Sequence, residues 1–407
     1  MADKLTIKFY AWMAILIAGL LLGVYSVINM FSKGHGATLG TNDDVAWGIF
    51  IVGFIFLVGI GSGVTIIGLL IHAFGRADFK PLANRAVLFG LLSLMGSMLF
   101  IMLDVGNIAT ALLVPWVLRN TTSMFIYTSL TYYVFGLLML GQLAFAVKVA
   151  RWGASGWDRK MQKWLAIASF PFALLVLQAA DGALFSVVKV REYWNSALLP
   201  AHFALTALVT GTAVIILLAI VTARVGKKQL VSANSLGLLG KLLAYFVAVT
   251  VVFDLYDLLV LNYSELPEGM EVWRLLTGPY LTLYALNIGG LIAALVILVF
   301  KQGRRAGGLV IASFVALLAV VAYRYNLVIV GQQVPLWSGQ ARPEISYAPS
   351  SIELSIAVGI VALVLLLCTV LTKILPMEEA AEAVIQVPVD GRQLVSAGGR
   401  RMASSLE

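Results

Sequence analysis

The sequence predicts an all-α integral membrane protein with ten transmembrane helices. Of its 407 residues, 61% are hydrophobic and 12% are charged, about half the ~25% charge of soluble domains. Apolar runs of 20 or more residues recur along the chain, which suits spanning helices and not the ten-residue alternation of barrel strands. Three quarters of the basic residues fall in alternate connections, as they do where one side of a membrane holds the positive loops. The expected arrangement is two four-helix bundles, spans 2–5 and 6–9, flanked by spans 1 and 10.

The spans are expected near 10–31, 47–73, 84–106, 122–147, 165–188, 198–223, 237–261, 279–300, 307–331 and 351–373. The first follows Lys4 and Lys8. Its apolar run is too long for a signal-peptide core and shows no small-x-small cleavage site, so it reads as a retained span. The domain boundaries follow: 1–45 for the first helix and its outer loop, 46–190 and 191–332 for the two bundles, 333–375 for an outer loop and the tenth helix, and 376–407 for a flexible tail. With the N-terminus inside, 21 of the 28 Lys and Arg residues lie in inner segments and six in outer loops, with Arg324 inside a span. This places a multi-pass protein in the cytoplasmic membrane with both termini cytoplasmic. The net charge of +8 is thereby explained without nucleic acid.

The two halves repeat weakly. Trp47 opens the second span and Asp104 ends the third; Pro200 opens the sixth and Asp254 lies near the end of the seventh. Glycines in the second span (Gly53, Gly59, Gly61, Gly63) and small residues in the sixth (Thr206, Thr210, Gly211) are read as helix-packing contacts. Gly59 to Gly63 lies mid-membrane, where a nucleotide loop has no place.

The single cysteine, Cys368, excludes an all-thiolate zinc or iron–sulfur site and any internal disulfide. No C-x-x-C-H run exists for haem attachment. His72 and His202 fall at opposite ends of their spans, so no transmembrane haem pair is formed. The expectation is a chain without haem or metal.

Carboxylates in hydrocarbon cost roughly 2.5–3.5 kcal/mol each on insertion scales and are functional candidates by default. Here Asp104, Asp181, Asp254, Asp257 and Arg324 all fall in the outer half, with Asn107, His202, Tyr284 and Asn287. Asp181, Asp254 and Arg324 each lie eight residues from their helix ends, about 12 Å deep. Asp254 and Asp257 share a helix face, so Arg324 is expected to pair with one or both, as a structural ion pair or as part of a proton site. The stretch from Gln178 to Gly211 joins Asp181 to His202 across the seam between the bundles.

Three stretches carry a resemblance. These are Asn42-Asp43-Asp44-Val45-Ala46-Trp47-Gly48-Ile49 leading to Gly59 and Gly63; Trp194 to Pro200 followed by Phe203, Ala207 and Gly211; and Arg324-Tyr325-Asn326-Leu327-Val328-Ile329-Val330-Gly331-Gln332. With them the chain resembles the NrfD-like membrane subunits of the polysulfide-reductase type, and within that family the ten-span DsrP-like branch. The resemblance implies a cofactor-free subunit of an oxidoreductase complex, not a free-standing enzyme. It would bind menaquinone or a related quinone near the outer face and exchange electrons with an iron–sulfur subunit docked there. A multihaem cytochrome c and a second membrane subunit are further partners of that kind. Quinone chemistry needs an apolar slot, hydrogen-bonding groups for the ring oxygens and a proton route. Carried over by position, Asp44, Trp47, Asp104, Tyr127, Asp181 and His202 are the quinone-binding candidates. Asp254, Asp257, Tyr284, Asn287 and Arg324 are the proton-transfer candidates. Two other classes stay open: a secondary transporter with a buried acidic ion site, and a purely structural membrane anchor.

Overall fold

A computed structural model describes residues 7–73, 79–107, 113, 123–153, 155–176, 182–191, 193–226, 231–263, 266–334 and 345–376. Among these residues the regular structure is all helical, with no strand. In chain order the helices are α1 (Ile7–Lys33), α2 (His35–Thr38), α3 (Ile49–Ala73), α4 (Lys80–Val105), α5 (Met124–Trp152), α6 (Gly156–Leu175), α7 (Leu184–Ser186), α8 (Leu199–Gly226), α9 (Ala233–Tyr263), α10 (Pro267–Thr277), α11 (Leu281–Val299), α12 (Ala306–Gln333) and α13 (Ser351–Ile374).

Among the described residues, nine helices are long and apolar enough to cross a bilayer. They match nine of the ten expected spans. The fifth, expected at 165–188, is represented by α6. That helix starts earlier, with Asp158, Lys160 and Lys163 in its first turns, and contains Pro171. Its early charges keep it out of the apolar set. The rest of the expected span is partly outside the described residues.

α6 is started by its own sequence. Ser155 accepts from the Asp158 backbone N–H, and the Asp158 carboxylate accepts from the Ser155 N–H, a capping box. The same device, with Ser350 and Glu353, starts α13.

α3 packs on α4 and α6, and α5 packs on α4 and α6; α8 packs on α9 and α12, and α11 packs on α9 and α12. α3 lies directly against α8. The expected small-residue packing is found at that crossing. A Cβ on Gly63 would fall 1.9 Å from the Ala207 carbonyl oxygen, and one on Gly211 would fall 2.3 Å from the Gly63 carbonyl carbon. The two backbones touch there with nothing between them. α1 pairs with α13, and α13 lies on α4. α10 is a short helix whose buried side (Gly269, Val272, Leu276) packs on Val330 and Val334 at the end of α12.

Candidate functional site

The polar and aromatic groups gather at one end of the helices, where α3 and α8 begin and α9 and α12 finish. An aromatic cluster is the first part. The Trp47 and Trp194 rings stack with centroids 5.4 Å apart, and Phe185 stands edge-on to both, at 5.3 and 5.0 Å. Each tryptophan is fixed by polar bonds to α12. Gln332 Oε1 accepts from the Trp47 N–H (2.9 Å), while Gln332 Nε2 donates to the Trp47 carbonyl (2.8 Å). Trp194 Nε1 donates to the Leu327 carbonyl at 2.7 Å. That approach needs Gly331, since a Cβ there would lie 2.0 Å from Trp194 Nε1. Arg191 donates to the carbonyls of Gln332 (2.6 Å) and Val334 (2.8 Å), satisfying acceptors that a helix C-terminus leaves open. Burial pulls the Arg191 pKa below its ordinary value; Asp44 opposes this. Exposed Asp44 therefore lies within electrostatic reach of Arg191 at the mouth of the cluster.

The second part is a histidine between two carboxylates. The His202 ring is buried one turn into α8. Its Nε2 is 3.0 Å from Asp254 Oδ1, and its Nδ1 is 3.6 Å from Asp257 Oδ2. The Asp254 side chain is 5% exposed and that of Asp257 39%. The three-residue spacing on α9 puts one acid inward and one outward on the same face. Tyr323 covers the imidazole at 4.4 Å. Tyr193 and Tyr284 lie within electrostatic reach of both carboxylates. Tyr193 lies outside the spans, and its hydroxyl is pushed far up, first by burial and then by Asp257. Trp273 of α10 stands edge-on to Tyr284 at 6.3 Å. Asn287 is buried one turn along α11 from Tyr284.

The sequence places Arg324 at Asp254 or Asp257, and the structure gives that position to His202. The Arg324 guanidinium is buried over the Phe203 ring, 3.6 Å from its centroid, and donates to Thr206 Oγ1 at 2.7 Å. A stacked guanidinium keeps its charge at low hydration cost. Phe203 also meets Phe185 at 6.1 Å, so the aromatic cluster and the histidine site are continuous. His202, expected with the first-bundle groups, thus sits with the second-bundle acids.

The remaining candidates divide. Asp104 is half-buried in the last turn of α4, and the carboxylate within its reach is Glu353. Close by, His35 Nε2 meets the Leu103 carbonyl at 3.0 Å. Tyr127 is 51% exposed on α5, which packs on α4 and α6 and not beside His202. Asp181 lies outside the described residues. Two small pockets are lined by residues such as Val64, Thr65, Gly68 and Ala86; neither touches His202, Asp254 or Trp47.

One polar cluster escapes a reading of the sequence. Glu353 is buried and accepts from the backbone N–H groups of Gly40 (2.9 Å) and Ser350 (2.6 Å) and from the Tyr347 hydroxyl (3.0 Å). Tyr347 in turn accepts from the Ile49 N–H at 2.9 Å. This ties the start of α13 to the start of α3, next to Trp47. The signal for it is the S-x-x-E pattern at 350–353, a capping box opening an apolar run.

Neither His202 nitrogen is in hydrogen-bond geometry with its carboxylate, but an imidazole with an acid close to each nitrogen is a group that small side-chain rotations can turn into a proton relay. Asp257 opens that pair toward the surroundings and Asp254 closes it inward. Comparisons with known proteins extend over nearly the whole chain. It is 25% identical to a selenate reductase subunit of Mesobacillus selenatarsenatis, over 88% of this chain and 92% of that one. It is 25% identical to the "Hdr-like menaquinol oxidoreductase integral membrane subunit" of Archaeoglobus fulgidus (94% and 97%). It is 22% identical to the "Menaquinone reductase, integral membrane subunit" of Nitratidesulfovibrio vulgaris (91% and 92%). The model of the polysulphide reductase NrfD family matches residues 37–335, the stretch that holds Asp44, Trp47, Trp194, His202, Asp254, Asp257, Arg324 and Gln332, and the chain belongs to that family.

Proposed function

We propose that this protein is the quinone-interacting membrane subunit of a multi-subunit redox complex. In this reading it exchanges electrons between the quinone pool, menaquinone by analogy with the relatives, and an iron–sulfur partner at the outer face. The carrying observation is the continuity of the Trp47–Trp194–Phe185 cluster with the His202–Asp254–Asp257 site. Aromatic walls suit a planar ring, and the imidazole–carboxylate set suits the protons that accompany two-electron quinone chemistry. The relatives named for menaquinol and menaquinone chemistry support it.

The two groups of residues take different parts. Trp47, with Asp44, Asp104 and Asp181 as the remaining first-half candidates and Tyr127 at the periphery, shapes the ring's approach. His202 with Asp254, Asp257, Tyr284 and Asn287 handles protons, and Arg324 holds a fixed positive charge beside them. The packing of α3–α6 with one another, and of α8, α9, α11 and α12 with one another, supports two four-helix bundles joined at α3 and α8. In this reading residues 165–188 count as the fifth span; ten crossings then put both termini on one side, and the bias of Lys and Arg makes that side the cytoplasm and the site's side the outer face.

The test uses the purified holocomplex. His202→Gln and Asp257→Asn are each expected to lower quinol-linked electron transfer by at least tenfold, while dye-linked activity of the partner subunits is retained. Wild-type quinone affinity and rate in both variants would overturn the assignment.

A further inference from the structure

The opposite end of the protein carries a feature that the redox reading does not use. Three of the nine tryptophans, Trp152, Trp157 and Trp164, fall at the turn between α5 and α6, and they are 72%, 57% and 65% exposed. Exposed with them are Arg151, whose guanidinium lies 5.8 Å from the Trp152 ring centroid, Lys160 and Lys163. Trp157, Lys160 and Trp164 share one face of α6 by their spacing.

The one acid in the turn is unavailable to these cations. Asp158 is buried. Its Oδ1 takes Lys148 Nζ at 2.7 Å, and its Oδ2 accepts from the Ser155 N–H and hydroxyl. Among the described residues, neither Arg151, Lys160 nor Lys163 has an acid at ion-pair distance. Three cations without a described acid beside them, interleaved with three exposed indoles, make a surface that is amphipathic and positive. Indoles settle at the headgroup level of a bilayer, which fixes these cations at the depth of lipid phosphates.

We propose that the α5–α6 turn is a binding site for an anionic phospholipid of the phosphatidylglycerol class. Arg151, Lys160 and Lys163 contact the phosphate, and Trp157 and Trp164 flank the glycerol backbone. Phosphatidylcholine has the same phosphate, but its choline cation is repelled by the same three side chains.

The full chain, reconstituted in phosphatidylcholine bilayers, is probed by electron paramagnetic resonance with trace spin-labelled phosphatidylglycerol or phosphatidylcholine. The wild type is expected to prefer the anionic label by about fivefold, the worth of one cation near an anionic surface. Arg151→Gln/Lys160→Gln/Lys163→Gln should bring the preference to near parity. Lys241→Gln/Lys301→Gln/Arg305→Gln removes equal charge from the same end, away from the tryptophans, and should leave it intact. Equal losses in both triple variants, or none in the first, would overturn the proposal. So would displacement of the label by inorganic phosphate beyond that by chloride of equal ionic strength, since free phosphate would then be the occupant. Should the first variant not fold, Trp157→Leu/Trp164→Leu is expected to lower the preference, and an unchanged preference there rejects the site.

Discussion

Replacing Gly331 by alanine sets two effects of opposite sign against each other. Gly331 lies inside α12, where alanine is favoured over glycine by about 1 kcal/mol. On propensity alone Gly331→Ala stabilises the protein. The packing says otherwise. The new methyl would stand 2.0 Å from Trp194 Nε1, 2.6 Å from Cε2 and 2.8 Å from Cδ1, so the indole must leave its seat. It then loses its bond to the Leu327 carbonyl, worth about 0.5–1.5 kcal/mol. It also loses its stack on Trp47 and its edge contact with Phe185, each worth about 0.5–1.5 kcal/mol. The losses reach roughly 2–4 kcal/mol, and after the propensity gain a net destabilisation of about 1–3 kcal/mol remains. Thermal unfolding of the full chain in detergent should show a transition lowered by a few degrees. Indole fluorescence should report a more solvated Trp194, and quinol-linked turnover of the holocomplex should fall as Trp47 loses its neighbour. A transition at or above the wild-type temperature would refute the claim that Trp194 is seated on α12 through Gly331.

Other consequences can be checked in the same preparations. Glu353→Gln leaves one acceptor oxygen where two now serve three donors, and should destabilise the protein by about 2 kcal/mol; thermal unfolding reads this directly. Gly63→Ala forces the backbones of α3 and α8 apart and should prevent recovery of folded protein on extraction, as size-exclusion profiles would show. Asp158 sits outside the expected spans, and hydrogen bonds from Lys148, then from Ser155, hold its carboxyl below the usual carboxylate range. A depressed folded pKa contributes stability above the unfolded value near 4 that is lost as pH falls through the folded value. Hydrogen exchange at the α5–α6 turn should therefore rise in acid in the wild type, while Asp158→Asn should exchange faster already at neutral pH and respond less to acid.

Most of the fold is legible in the sequence because a bilayer leaves few choices: an apolar run long enough to cross becomes a helix. The boundary that shifts, at α6, is where charges and Pro171 interrupt the run. Common depth is also legible, since position along a span gives height, and it brings His202, Asp254, Asp257 and Arg324 to one layer. What height does not give is azimuth. Arg324 is the strongest charge in that layer, and by height alone it belongs with the acids. Rotation about α12 instead turns it onto Phe203 and Thr206, and rotation about α8 presents His202 to α9. Asp104 and Tyr127 are separated from His202 in the same way, at the right height on other faces. Glu353 reads in sequence as an ordinary helix-start acid, because its partners Gly40 and Tyr347 come from distant loops.

The crossing of α3 and α8 bears on what kind of motion the molecule can make. At Gly63 and Gly211 the main chains meet without a side chain between them. Helices so joined have no layer that can slide or repack, and parting them would leave a groove one methyl deep along both. Carriers of the alternating-access type work by rocking one repeat against the other about a central site. Relative sliding of α3 on α8 would have to break the direct main-chain contact at Gly63 and Gly211. The expected consequence is that α3 and α8 move together as one unit, and distance measurements between labels on the two helices should show no change on reduction or oxidation of the complex.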